Sequence, residues 1–302
     1  MASEEINGVR DLLAAFPAMK DKSIQEVRAQ MEEWVGSFPL PEGVSVEAVD
    51  AGGVPGEWVR APGARDEAAF LYLHGGGYVL GSPATGRHLA AALSEATAAS
   101  ILSLDYRLAP EHPFPAAVDD GAAGYRWLVD QGISPERIAV GGDSAGGGLT
   151  VATLLAVRDA GDPLPAAGVC ISPWVDLTCS ADSYKTKSGT DPILIHEDIL
   201  WMASLYLGDQ DPKTPLISPV FADLKGLPPL LIQVGSEEML LDDSVGLDRR
   251  AREAGVDSTL EVWDDMIHVW HLFFQMLKEG RDAIFRIGEY FKSHIPLQMD
   301  GR

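Results

Sequence analysis

An apolar run, Arg137-Ile138-Ala139-Val140, leads almost directly into Gly142-Asp143-Ser144-Ala145-Gly146, and a helix-prone stretch over residues 145–160 follows. Few arrangements constrain a chain so strongly. A Gly-x-Ser-x-Gly pentapeptide alone is a weak signal, but the strand before it and the helix after it put the serine on a tight turn with its hydroxyl exposed. Glycines flank the serine because side chains at those places would clash in such a turn. The free N–H groups of the helix N-terminus favour negative charge developing beside it. The competing reading is an ordinary glycine-rich strand-to-helix turn, including the kind that cradles a phosphate.

The rest of the chain repeats this strand–turn–helix rhythm. Apolar runs at residues 68–73, 100–104, 137–140, 167–171, 230–234 and 259–263 read as strands. Helical stretches at residues 84–98, 116–130, 145–160, 242–254 and 281–293 separate or follow them. Continuous apolar strands alternating with helices predict a mostly parallel sheet covered on both faces. Residues 178–225 break the rhythm, with one helical patch from Asp198 to Leu207, and read as an insertion. Residues 1–38 look helical and amphipathic, ending at Pro39 and Pro41. Ser23 and Glu26 form a capping-box pattern, after which Ile24, Val27, Met31 and Val35 share one face, with Trp34 beside them. That stripe suits packing on a protein core. The opposite face carries acidic residues as well as Arg28, which disfavours a membrane.

A second glycine turn, His74-Gly75-Gly76-Gly77, ends the 68–73 strand. Three glycines in a row let backbone N–H groups point into a shared cavity, as acyl transfer needs for its oxyanion. Both glycine turns follow strands, so an open parallel sheet puts them on one carboxyl edge. A serine nucleophile there needs a base, and the base an acid to orient it. Of seven histidines, His268 follows the strand ending at Trp263 on that same edge, and His271 is the runner-up. His74 belongs to the glycine turn, while His88, His112, His196 and His294 have no such placement. The acid falls within Glu237-Glu238-Met239-Leu240-Leu241-Asp242-Asp243, after the strand ending at Val234, and location alone does not single out one residue. Asp242 and Asp243 also suit a solvated helix N-terminus. The chain order Ser144, acid, His268 is the one that this kind of site requires.

Composition narrows the partners. A net charge of −22 over 302 residues disfavours nucleic acid and anionic lipid. Two cysteines, Cys170 and Cys179, make neither a disulfide framework nor a zinc site, and Cys170 reads as a buried reduced thiol. No basic stretch leads into an apolar segment at the N-terminus, and no run of 18 apolar residues occurs. A cytoplasmic protein without a membrane span is the expectation.

Taken together, these pieces resemble the hormone-sensitive lipase family of α/β-hydrolases, the bacterial family IV esterases. The matching segments are His74-Gly75-Gly76-Gly77-Tyr78 and the run from Asp105 to Ala117 that contains Tyr106-Arg107-Leu108-Ala109-Pro110-Glu111-His112-Pro113-Phe114-Pro115. They continue through Gly141 to Gly147, Ser172-Pro173-Trp174-Val175-Asp176-Leu177 and Met266-Ile267-His268. The resemblance implies an α/β-hydrolase fold, with a mostly parallel central sheet flanked by helices and a helical cap. It implies Ser144 as nucleophile, His268 as base, and the N–H groups of Gly76, Gly77 and Ala145 as oxyanion donors. The family's Asp-x-Leu-x-Asp acid motif aligns with Glu238-Met239-Leu240-Leu241-Asp242, so the acid becomes Glu238 in place of the usual aspartate.

By the same resemblance the cap comprises residues 1–45 and 180–220. The catalytic domain comprises residues 46–179 and 221–302. Trp201, Met202, Leu205 and Tyr206 are then candidates to line the acyl pocket. The implied activity is hydrolysis of short- to medium-chain carboxylic esters, without metal or organic cofactor, by a monomer or homodimer acting on a small-molecule ester. An amidase or arylacetamide deacetylase would use the same residues. A non-catalytic small-molecule binder, similar to the plant gibberellin receptors, would lack the histidine that this chain has.

Overall fold

The apolar runs of the sequence become the middle strands of one eight-stranded sheet in the structure, a computed structural model that describes residues 2–14, 22–36 and 38–295. In chain order the strands are β1 (Ser45–Asp50), β2 (Pro55–Arg60), β3 (Arg65–Leu73), β4 (Ala99–Leu104), β5 (Ile138–Asp143), β6 (Ala167–Ile171), β7 (Leu230–Gly235) and β8 (Ser258–Trp263). In space they run β1-β2-β4-β3-β5-β6-β7-β8. β2 is antiparallel to both neighbours, and every pairing from β4 to β8 is parallel.

The helices are α1 (Glu5–Ala14), α2 (Ile24–Gly36), α3 (Pro83–Thr97), α4 (Ala116–Asp130), α5 (Ala145–Ala160), α6 (Ser183–Thr186), α7 (His196–Leu207), α8 (Leu241–Glu253) and α9 (Lys278–His294). Period-two alternation sends neighbouring strand residues to opposite faces. Phe70 and Tyr72 of β3 pack with Leu89 and Leu93 of α3 and Ile287 and Phe291 of α9. Leu71 and Leu73 join Leu128 of α4, Leu149 of α5 and Leu247 of α8 on the other face. Each fully buried Leu or Phe contributes about 1.5–3 kcal/mol, which explains why the central strands read as unbroken apolar runs.

The β1–β2 hairpin is the part that the sequence pattern does not announce. Five of the six β1 residues are exposed, so no apolar run marks it. Its geometry comes from the turn instead: Gly52 and Gly53 take φ of +72° and +91°, and the Ala51 N–H bonds Val54 O at 2.7 Å. The N-terminal stretch forms two helices within its described residues, and residues 15–21 lie outside them. The expected capping box opens α2, with the Ser23 N–H on the Glu26 carboxylate at 2.7 Å and the Glu26 N–H on Ser23 Oγ at 3.3 Å. α1 buries Ile6 and Val9 against Met266, Trp270, Phe273 and Leu277. Among the described residues no helix is long and apolar enough to cross a membrane.

Candidate active site

β5 ends at Asp143 and α5 begins at Ala145, leaving Ser144 alone on the turn with φ +54° and ψ −120°. Such a backbone is sparsely populated for a residue with a side chain, and it persists because both neighbours are fixed by regular structure. The turn passes very close to the end of β3. A Cβ on Gly146 would stand 1.9 Å from the Leu73 carbonyl oxygen, and one on Gly142 would stand 2.2 Å from the same atom. Only glycine fits at either place. Cys170 and Cys179, meanwhile, are buried free thiols.

The second glycine turn leaves β3 beside it. The Gly76 carbonyl accepts the Val79 and Leu80 N–H groups at 3.1 and 2.8 Å. Among the described residues the N–H groups of Gly76 and Gly77 make no backbone hydrogen bond. The first N–H groups of α5, Ala145 among them, have no carbonyl one turn back to bond. The Asp143 carboxylate ties the two turns together, accepting the Gly75 N–H at 3.1 Å and the Tyr72 hydroxyl. Burial pushes the Asp143 carboxyl up, against the pull of these donors. From behind, the Tyr106 hydroxyl donates to His74 O at 2.7 Å and its ring stacks on the imidazole at 4.2 Å. Arg28 of α2 donates to the carbonyls of Val79 and Ala109, so the Asp105–Ala117 segment and α2 both brace the glycine turn.

His268 follows β8. Its Nε2 lies 2.9 Å from Ser144 Oγ, and its Nδ1 lies 2.8 Å from Glu238 Oε2. An ionised Glu238 only accepts, so Nδ1 carries the ring proton and Nε2 accepts from the Ser144 hydroxyl. The other Glu238 oxygen takes the Gly235 N–H at 2.6 Å and the Ser172 hydroxyl at 2.7 Å. Ser172, just past β6, also accepts the Val269 N–H at 3.1 Å, and so holds the loop of His268 as well as the acid. Burial disfavours the His268 imidazolium, but the Glu238 carboxylate, with Asp191 and Asp143, outweighs it and holds the ring above the ordinary imidazole value. Burial likewise pushes Glu238 up, against its bond from His268.

The other sequence candidates have different partners. His271 is buried on Gln233 Oε1 at 2.8 Å, and burial pushes it down to about 3. Glu237 pairs with Lys187 at 3.3 Å. Asp242 accepts the Ser183 N–H at 2.8 Å. The solvated role expected of Asp243 is corrected: it is only 2% exposed, accepts the Val175 and Asp176 N–H groups at 2.9 Å, and is pushed by burial up to about 8. It ties α8 to the loop after β6. Ser172, Asp143 and Tyr72 are the site residues that sequence reasoning misses, because each acts through a partner more than 60 positions away.

A largely apolar cavity of about 370 Å³ opens onto Ser144, His268 and the glycine turn. Val27, Met31 and Trp34 of α2, Ile193 to Ile195, and Ile199 and Met202 of α7 form its walls. The amphipathic stripe of α2 therefore faces this cavity. Of the four pocket residues expected from the sequence, only Met202 lines it. Trp201 is 39% exposed on the outer side of α7, and Leu205 packs into the core instead. Tyr206 shares Met202's side of the helix but lies one turn on, 1% exposed and stacked on Tyr78 at 3.9 Å. Helical phase separates Trp201 from Met202 and position along the axis separates Tyr206 from it, and an unanchored helix reveals neither. Among the described residues no group of three or more His, Cys, Asp or Glu could hold a metal ion.

The chain is similar to known proteins in sequence and fold. Residues 70–272 match the family model described as the alpha/beta hydrolase fold. An acetyl-hydrolase of Streptomyces hygroscopicus is 47% identical over 296 residues, covering 97% of this chain and 98% of that protein. An esterase of Acinetobacter venetianus is 33% identical over 278 residues, covering 92% and 91%. The crystal structure of an esterase from the bacterial hormone-sensitive lipase family is similar with a TM-score of 0.94 at 51% identity, covering 98% of this chain and 99% of that one. Likeness on this scale, over a sheet of this order and turns of this kind, means that the chain belongs to the α/β-hydrolase family, in the hormone-sensitive lipase group of carboxylic ester hydrolases.

Proposed function

We propose that the protein hydrolyses short- to medium-chain carboxylic esters through an acyl-enzyme on Ser144, with His268 as base and Glu238 as acid. The observation that carries this reading is the unbroken chain from Ser144 Oγ through both His268 nitrogens to Glu238, at 2.9 and 2.8 Å. Ser144 Oγ attacks the ester carbonyl carbon while its proton passes to His268 Nε2. Glu238 stabilises the imidazolium that forms and keeps the ring in the productive tautomer. The N–H groups of Gly76, Gly77 and Ala145 receive the oxyanion. Collapse of the intermediate breaks the bond to the alkoxy oxygen, which takes the proton from His268 and leaves as alcohol. Water then gives a proton to His268 and attacks the acyl carbon. Ser144 Oγ departs with that proton, and the carboxylic acid is released.

A cavity of about 370 Å³ with apolar walls suits acyl groups of a few carbons better than long lipid chains. In this reading residues 1–45 and 180–220 are the cap and the remainder is the catalytic domain. Support comes from the cavity walls, which α2 and residues 193–202 supply above the turns of the sheet. A small neutral ester is the partner, and the cytoplasm the compartment, which the buried free thiols of Cys170 and Cys179 support. Ser144→Ala is the direct test. Its activity on p-nitrophenyl butyrate should fall at least about 10³-fold. Retention of more than a few per cent overturns the mechanism.

A further inference from the structure

The turn that carries Glu238 is gripped from outside by the inserted segment. Lys187 Nζ reaches Glu237 Oε1 at 3.3 Å, and Thr190 Oγ1 reaches the Glu237 carbonyl at 3.3 Å. The Ser183 hydroxyl donates to Met239 O at 2.6 Å, and the Ser183 N–H to Asp242 Oδ2 at 2.8 Å. Asp191 differs from these in facing two ways. One oxygen takes the N–H of Met239, next to Glu238, at 3.1 Å. The other takes the N–H groups of Ile193 and Leu194, at 3.0 and 3.2 Å, and both of those residues line the cavity. The carboxylate is 7% exposed, so these bonds form with little competition from water.

We propose that Asp191 is a positioning residue that couples the wall of the acyl cavity to the Glu238 turn, setting both chain-length discrimination and the alignment of Glu238 on His268. The proposal rests on the esterase reading above and goes beyond it. One rigid carboxylate fixes two elements at once, so loosening it displaces both. Its charge also acts on the pair directly. The charged and titratable groups facing His268 are Glu238, Asp191, Asp143 and His271. Asp191 is one of the carboxylates that favour the imidazolium, and it opposes ionisation of Glu238.

The test is a pH series of kcat/KM on p-nitrophenyl acetate, butyrate and hexanoate, for the wild type, Asp191→Asn and Asp191→Ala. Removing the charge should move the acid limb to lower pH in both variants. Asp191→Ala should also lower kcat about tenfold and flatten the hexanoate-to-acetate ratio several-fold, because neither anchor survives. Asp191→Asn keeps the size of the side chain and one of its two acceptor oxygens, so it retains one anchor and reports even where Ala folds poorly. An unmoved acid limb in Asn, together with an unchanged ratio in whichever variants fold, overturns the coupling. If the wild type shows no Ser144-dependent hydrolysis at all, it is the esterase reading that fails, and the two failures are told apart.

Discussion

Ser172 donates its hydroxyl to the Oε1 atom of Glu238 at 2.7 Å, which makes a loop serine past β6 part of the support of a carboxylate past β7. Hydrogen bonds to charged groups contribute about 1.5–3 kcal/mol, so Ser172→Ala should lower kcat by about 10- to 150-fold with KM nearly unchanged. Its loss also frees the Val269 N–H that holds the His268 loop. Threonine is a poor rescue because Ser172 has a φ of +46°, which β-branched side chains resist. Steady-state kinetics on p-nitrophenyl butyrate decide the matter: a rise in KM with kcat intact would assign Ser172 to substrate binding.

As the proposed base, His268 works only when neutral, and against the effect of burial Glu238, with Asp191 and Asp143, holds it above the ordinary imidazole value of 6.5. The kcat/KM profile of the wild type should therefore rise with pH through a group above that value. Glu238→Gln takes away the carboxylate and leaves the burial, so the limb should move to lower pH while kcat falls about 10³- to 10⁴-fold. A variant limb at or above the wild-type position would show that another group controls the protonation of His268.

Asp243 gives the stability a pH dependence of its own. Its pKa rises from the ordinary 3.8 of a solvated aspartate to about 8 in the fold. Between those values the folded protein keeps a proton that the unfolded chain has released. Stability from this group is thus complete below pH about 4 and declines as pH climbs toward 8, by at most about 1.4 kcal/mol per unit. Asp243→Asn keeps an acceptor for the Val175 and Asp176 N–H groups but removes the titration. The melting-temperature advantage of the wild type over this variant should shrink from pH 5 to pH 8, and a constant gap across that range would refute the assignment.

Within α7, Met202 meets the cavity and Trp201 does not. Met202→Ala should raise the hexanoate-to-butyrate ratio of kcat/KM several-fold, since room for one or two methylenes corresponds to about 1–3 kcal/mol of discrimination each. Trp201→Ala should leave the ratio where it is. Equal responses from the two would mean that the cavity extends differently around α7.

How much of this is legible in the chain differs by residue type. Ser144, Gly76 and Gly77 stand out because tight turns at strand ends admit few residues, and that restriction is local. His268 and the acidic cluster follow from chain order and sheet edge. The choice of Glu238 within the cluster needs tertiary burial: at 0% exposure it lies inside, while Glu237 faces Lys187. Ser172 stands in a segment that carries the resemblance, but its bond to Glu238 spans 66 positions and is not legible there, while Asp191 is a polar loop residue whose partner lies 48 positions away and which nothing nearby in sequence marks. β1 is silent for the opposite reason, since an exposed edge strand has no apolar face to display.

The close approach of α7 to the glycine turn bears on how this scaffold diversifies. A Cβ on Gly77, whose φ is +63°, would fall 2.3 Å from the sulfur of Met202. The roof helix α7 thus rests directly on the backbone that is proposed to bind the oxyanion. Mutational drift in the roof is filtered by the glycine turn, and the turn in its own right tolerates no drift beneath the roof. New substrate ranges are then most accessible through the side chains of residues 193–195, which line the cavity and make no hydrogen bond to the glycine turn among the described residues.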